Sequence, residues 1–236
     1  MIEVKNISKN FGSLKALDNV SLTIEDNSCY ALLGLNGAGK TTLINILSTQ
    51  ILPSQGTATI DGFDLLEKKE EIRKIINISP QESAVAKNLT VKENLELIAS
   101  LYLVEDKENL IETVINEFGL QEKENVLCKK LSGGQMRRLS IALAIITSPK
   151  VLFLDEPTLG LDVKARKKLW EIVEKLKNKM TIVLTTHYLE EIVALADKVA
   201  IISKGKIKCE GSIDEITTSS NTATLEEAFL KLTEEE

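Results

Sequence analysis

The stretch that decides the fold is Cys29-Tyr30-Ala31-Leu32-Leu33-Gly34-Leu35-Asn36-Gly37-Ala38-Gly39-Lys40-Thr41-Thr42. An apolar run ends in a glycine-rich turn, and a helix-forming segment, 43–47, follows. Gly34, Gly39, Lys40 and Thr41 fit G-x-x-x-x-G-K-[ST], a P-loop in the strand–loop–helix context it requires. Glycines at 34, 37 and 39 carry no Cβ, so the loop can curl until its amides converge on phosphate oxygens. The helix opening at Gly39 adds unpaired N–H groups and the positive end of its dipole. Lys40 reaches the β- and γ-phosphates, and Thr41 is a candidate Mg²⁺ ligand. The candidate phosphate-binding set is therefore Gly34, Asn36, Gly37, Ala38, Gly39, Lys40, Thr41 and Thr42.

Upstream, 2–7 and 20–24 are short, apolar-rich and partly alternating, the pattern of antiparallel strands. Phe11-Gly12 lies between them, and an aromatic here either stacks on a nucleotide base or belongs to the core. Downstream, 56–62 reads as a strand ending in a turn. Residues 67–76 form an amphipathic helix with Ile72, Ile75 and Ile76 on its apolar side, and 76–79 is a short strand leading into Pro80-Gln81. From 82 to about 128 the chain reads as helical. Thr90-Val91-Lys92-Glu93 is a capping box opening a helix through Leu95, Leu97, Ile98 and Leu101. A second helix, 107–118, stops at Gly119. This part is read as a helical subdomain inserted into an α/β core.

Leu131-Ser132-Gly133-Gly134-Gln135 then opens a nearly all-round apolar helix, which predicts burial. Ser132 is an N-cap candidate, and the glycine pair lets backbone close on a ligand, so this is a second helix start suited to an anion. Val151-Leu152-Phe153-Leu154-Asp155-Glu156-Pro157 is a buried strand ending in two carboxylates, which are costly there unless paired or near a cation. Asp155 fits a Walker B role, holding Mg²⁺, and Glu156 is placed to polarise a water. Asp162 is a helix N-cap candidate for 163–178. Trp170, beside Leu169, Ile172 and Val173, is read as core. The strand 180–186 ends at His187, the chain's one histidine, at the edge where such sheets bind ligands. A helix 188–196 and a hairpin, 199–203 with 206–210, follow. Ser212 to Glu215 and Thr224 to Glu227 are capping boxes, the second opening a tail helix with Leu225, Phe229 and Leu232.

The bulk properties bound the function. The 236 residues suit one large α/β domain, and 43% hydrophobic residues suffice for a full core. A net charge of −6 and a pI near 5.2 argue against nucleic acid as a partner and fit a soluble cytoplasmic protein. Cys29, Cys128 and Cys209 lie in no metal-like spacing and read as reduced, buried thiols. No apolar run approaches the roughly 18–20 residues that span a bilayer, and the N-terminus reads as a strand start rather than a signal peptide. Work at a membrane would need another chain to supply the membrane part.

In this order, the motifs resemble the nucleotide-binding subunit of an ABC (ATP-binding cassette) transporter, over essentially the whole chain. The most diagnostic piece is Leu131-Ser132-Gly133-Gly134-Gln135, the family's signature. Residues 34–41 match Walker A, Gln81 the Q-loop glutamine, 151–155 with Glu156 the Walker B strand, Asp162 the D-loop and His187 the switch histidine. Phe11 takes the adenine-stacking place, where the family often has Tyr, and Leu159 stands where a small or polar residue is more frequent. Gly62-Phe63-Asp64, Leu89-Thr90-Val91 and the tail 225–233 resemble the subfamily that energises exporters of drugs, ions, lipids or polysaccharides.

The resemblance implies an α/β P-loop NTPase core with a mostly parallel sheet (1–81 and 131–215) and an N-terminal antiparallel β-subdomain. It adds an inserted helical subdomain (82–130) and a C-terminal helical tail (216–236). It further implies a head-to-tail homodimer in which each ATP, with Mg²⁺ on Thr41, Gln81 and Asp155, lies between one copy's P-loop and the other's Ser132, Gly133, Gly134, Gln135 and Asp162. Glu156, His187, Lys40 and Gln81 are the expected catalytic residues. The expected partner is an integral-membrane permease that holds the subunit at the inner face of the membrane, with Gln81 carrying the nucleotide state towards it. The rival classes are soluble ATPases of DNA repair, chromosome organisation or translation, which usually carry coiled coils or two cassettes, and a non-hydrolysing regulator, against which Glu156 and His187 argue.

Overall fold

The computed structural model describes residues 1–234. In chain order its elements are β1 (Ile2–Phe11), β2 (Leu14–Ile24), β3 (Cys29–Leu33), α1 (Lys40–Leu47), β4 (Gln55–Ile60), β5 (Phe63–Asp64), α2 (Lys69–Ile75) and β6 (Ile76–Ser79). Then come α3 (Val91–Leu101), α4 (Lys107–Glu117), α5 (Gly133–Ile145), β7 (Val151–Asp155), α6 (Val163–Leu176), β8 (Thr181–Thr186) and α7 (Leu189–Leu195). The hairpin β9 (Lys198–Ser203) and β10 (Lys206–Gly211) precedes α8 (Ile213–Ser220) and α9 (Leu225–Glu234).

Two sheets result. The antiparallel one has the order β2-β1-β4-β5. The other has the order β10-β9-β3-β8-β7-β6, parallel throughout except for the antiparallel edge strand β10. The expected architecture of a mostly parallel sheet with an N-terminal antiparallel layer is therefore present. Strands β1 and β2 extend beyond 2–7 and 20–24 until they nearly meet at Phe11 and Leu14, because register shifts let the ladder continue.

Why the parallel strands read as unbroken apolar runs is visible in the packing. Ala31, Leu33, Leu152, Leu154, Ile182 and Leu184 face one cluster, shared with α3 to α9. Their neighbours Tyr30, Leu32, Val151, Phe153 and Val183 face a second, shared with α1 and the antiparallel sheet. The helical stretch between β6 and β7 sends Val91, Leu95, Ile115 and Phe118 into the first cluster, so it is anchored on the same core as the sheet.

The capping signals mostly form as read. Thr90, Ser132 and Ser212 each accept from the N3 amide, with the N3 side chain returning to the cap N–H. Gly119 sits at φ +60° after α4, as a C′ glycine should. The Thr224 box is only half made. Its hydroxyl accepts from Glu227 N–H, but the Glu227 carboxylate accepts from Ala223 N–H, one residue too early for the reciprocal bond. The cysteine reading also needs one correction: Cys29 and Cys128 are buried and free, whereas Cys209 is only half-buried on the edge strand β10. Trp170 is half-buried against the first cluster, as are Phe229 and Leu232 of the tail helix.

Candidate active site

Register brings the chemistry to one edge. Leu33 pairs with Thr186, Asp155 with Thr185 and Ser79 with Leu154, so four parallel strands end together. The residues that follow those ends are Gly34, Gln81, Glu156 and His187, which is where ligands bind in open α/β sheets. A cleft of about 710 Å³ opens there. It is lined by Phe11, by the loop and first helical turn from Asn36 to Thr42, and by Gln81, Glu156 and His187. The pattern requires glycine at 39 for a reason beyond ligand approach. Gly39 has φ +110°, and a Cβ on it would stand 2.7 Å from the Ala16 carbonyl oxygen.

The charged groups in the cleft hold one another. Lys40 is 5% exposed; its Nζ donates to the Gly34 carbonyl at 2.7 Å and pairs with Glu156 Oε1 at 3.1 Å. The other Glu156 oxygen accepts from His187 Nδ1 at 2.8 Å. Glu156 itself has φ 46°, in the left-handed region that side-chain-bearing residues rarely occupy. Its N–H, shared between the Thr185 carbonyl at 3.2 Å and hydroxyl at 3.0 Å, fixes that conformation. Asp155 accepts from Thr185 Oγ1 at 2.5 Å and from Thr41 Oγ1 at 3.1 Å. Hydroxyl, carboxylate and amide oxygens from Thr41, Asp155 and Gln81 form a hard donor set that suits Mg²⁺.

Some residues that build the site carried no assigned role in the sequence. Arg137 on α5 is 5% exposed and donates to three backbone carbonyls, those of Pro80, Asp155 (2.9 Å) and Pro157 (2.9 Å). Burial pulls its guanidinium down to about 10, against the opposing pull of Asp155 and Glu191. The signal was available: an arginine pair inside an apolar helix is costly unless it has partners. The Thr185 hydroxyl, Lys15 and Lys204 also belong to the site or its walls. Lys9 lies 5.1 Å from the centre of the Phe11 ring, which is 49% exposed.

The remaining expected residues are elsewhere. Ser132, Gly133, Gly134, Gln135 and Asp162 do not line the cleft. Ser132, Gly133 and Asp162 are exposed, and Ser132 and Asp162 cap helices α5 and α6. Gly134 is needed for packing, since a Cβ there would meet Ala165 Cβ at 2.8 Å, so the starts of α5 and α6 interlock.

Comparison with known proteins agrees with this layout. The family model described as "ABC transporter" matches residues 17–159, more than half of the chain. This chain belongs to the ABC transporter family. It is 38% identical over 221 residues to the daunorubicin/doxorubicin resistance ATP-binding protein DrrA of Streptomyces peucetius, covering 92% of this chain and 67% of that one. It is 40% identical to ABC transporter A family member 6 of Dictyostelium discoideum over 89% of its own length, but spans only 13% of that much longer relative. Among solved structures, an ATP-binding subunit of an ABC transporter superposes with a TM-score of 0.88 at 29% identity, covering 98% of this chain and 99% of the other. The cassette MJ0796, solved as a dimer in a post-hydrolysis state with ADP and Pi, gives 0.80 at 27% identity over 90% of this chain and 98% of its own. The cassette described here thus has the fold and motif order of nucleotide-binding, ATP-hydrolysing relatives. No helix among its described residues is long and apolar enough to cross a membrane.

Proposed function

We propose that the cassette hydrolyses Mg-ATP as a head-to-tail pair of copies and thereby drives a separate integral-membrane permease, in the direction of export. One observation carries the pairing. The chain has two helix starts suited to a phosphate, yet only the one after Gly39 opens into the cleft with Glu156 and His187, while Ser132 and its glycines stand outside it. A second copy, turned end for end, brings its Ser132, Gly133, Gly134, Gln135 and Asp162 to the open side of the first copy's nucleotide. The dimeric MJ0796 with ADP and Pi supports this reading. The drug-resistance name of DrrA supports export by analogy.

In this mechanism Phe11 stacks on the base and the 36–42 amides take the phosphates. Lys40 exchanges its bonds to the Gly34 carbonyl and Glu156 for β- and γ-phosphate oxygens. That releases one Glu156 oxygen to accept the proton of the attacking water. His187, held by Glu156 through Nδ1, is carried to the γ-phosphate. Thr41, Asp155 and Gln81 would hold Mg²⁺, which supplies charge neutralisation on the phosphates. Loss of the γ-phosphate removes the charge that both copies share, so the copies part.

Replacing Lys40 by Ala is expected to weaken nucleotide binding by roughly 10- to 100-fold, a charge-assisted bond lost from the cradle. Fluorescent-nucleotide titration checks this, and unchanged affinity would contradict the cradle. Ser132→Arg is expected to leave nucleotide binding by the monomer intact but to prevent ATP-driven pairing, read by light scattering on a hydrolysis-deficient background. Full-rate turnover by strictly monomeric protein would remove the shared site. Co-purification of a membrane protein, as against DNA or ribosomes, tests the permease.

A further inference from the structure

One buried acid plays no part in the mechanism above. Glu191, on α7 four residues after His187, is fully buried. Neither of its oxygens makes a fully formed hydrogen bond, and the same holds for the buried Thr158 hydroxyl and Trp170 indole N–H. Thr158, Trp170 and Thr186 are the donors that face this carboxylate. Each belongs to a different segment of the chain. Thr186 precedes His187, and its hydroxyl also accepts from Tyr188 N–H at 3.0 Å, so it brackets the histidine. Thr158 lies between Glu156 and the Asp162 cap. Trp170 stands on α6, the helix that Asp162 caps. A second tie runs alongside: the Arg166 guanidinium lies 5.7 Å from the Trp170 ring and 5.6 Å from the Tyr188 ring, and the Tyr188 ring is 4.1 Å from that of His187.

We propose that Glu191 is a positioning residue that couples His187 to the 158–162 segment, so that the state of a copy's own cleft sets the surface it offers to the other copy. One acceptor and three donors gathered in a buried space without fully formed bonds make a network that gains from tightening. The closed, ATP-bound arrangement brings Thr158 and Trp170 fully onto the carboxylate. Burial raises the pKa of the Glu191 carboxyl while the three donors pull against it, and the buried Arg137 feels its charge. This rests on the shared-site reading above.

Trp170 is the chain's one tryptophan, so its emission reports on the cluster directly. The experiment uses the Glu156→Gln protein with ATP, following both emission and the fraction of dimer. Emission is expected to shift as dimer forms. With Glu191→Gln added, a near-isosteric change, the shift should be lost and pairing should need about tenfold more protein, at unchanged monomer affinity for a fluorescent nucleotide. On the active background Glu191→Gln should lower kcat about tenfold with KM nearly unchanged. Thr158→Val, a smaller perturbation, should act in the same direction and be non-additive with Glu191→Gln. If pairing, emission and kcat are all unmoved by Glu191→Gln and Thr158→Val, or if only thermal stability falls, the coupling is refuted. If Glu156→Gln alone stays monomeric with ATP, the shared site fails first and takes the coupling with it.

Discussion

Glu156→Gln is expected to cut ATP turnover by roughly 10²- to 10⁴-fold, the range that a positioned general base contributes. The amide keeps the side chain's length but cannot take up the proton of the attacking water. Binding should survive, because the phosphates are held by the 36–42 amides and Lys40, neither of which needs the Glu156 charge. The substitution also weakens two contacts of the Glu156 carboxylate, the 3.1 Å pair with Lys40 and the 2.8 Å bond from His187. Lys40 is then freer to turn to phosphate, so ATP affinity should hold or rise, and the protein should accumulate as an ATP-loaded dimer. Phosphate release and light scattering measure the two effects. Turnover at the unsubstituted rate would take Glu156 out of the chemistry.

Arg137→Leu is expected to give the largest loss of stability. Its guanidinium satisfies the carbonyls of Pro80, Asp155 and Pro157 from inside the core. Leucine fills much of the space but leaves those acceptors dry and unpaired, at about 1–3 kcal/mol each. Where water can reach the Pro80 end the cost is smaller, so a total of roughly 3–5 kcal/mol is expected, with Tm lower by about 10 °C. Activity should fall further than stability explains, because the three carbonyls belong to the segments that carry Gln81 and Glu156. Arg137→Lys, able to reach one or two of them, should recover part of both losses. A melting temperature within a degree or two of the original would show that the carbonyls find other partners.

How far the sequence could be read follows from what kind of information each feature needs. The P-loop, the Walker B strand and the signature are local: spacing, glycine and an apolar run specify them, and the strand ends place Gly34, Gln81, Glu156 and His187 together. The capping boxes at Thr90, Ser132 and Ser212 are equally local. Arg137, Thr185 and Glu191 were not assigned because their meaning depends on partners distant in sequence. An arginine within an apolar helix announces that it needs partners, but only the fold shows that they are the carbonyls of Pro80, Asp155 and Pro157. Gly134 shows a different limit. Spacing reads this glycine as room for a ligand, and the structure adds a neighbour, Ala165, that no spacing rule could name.

That same close contact has a mechanical consequence. With no side chain between Gly134 and Ala165, the first turns of α5 and α6 have little room to slide past each other. Ser132 and Asp162, at the tips of these two turns, are therefore held close to a fixed spacing. In the proposed pairing a second copy would meet both tips together, so engagement and separation at each nucleotide would be linked rather than stepwise.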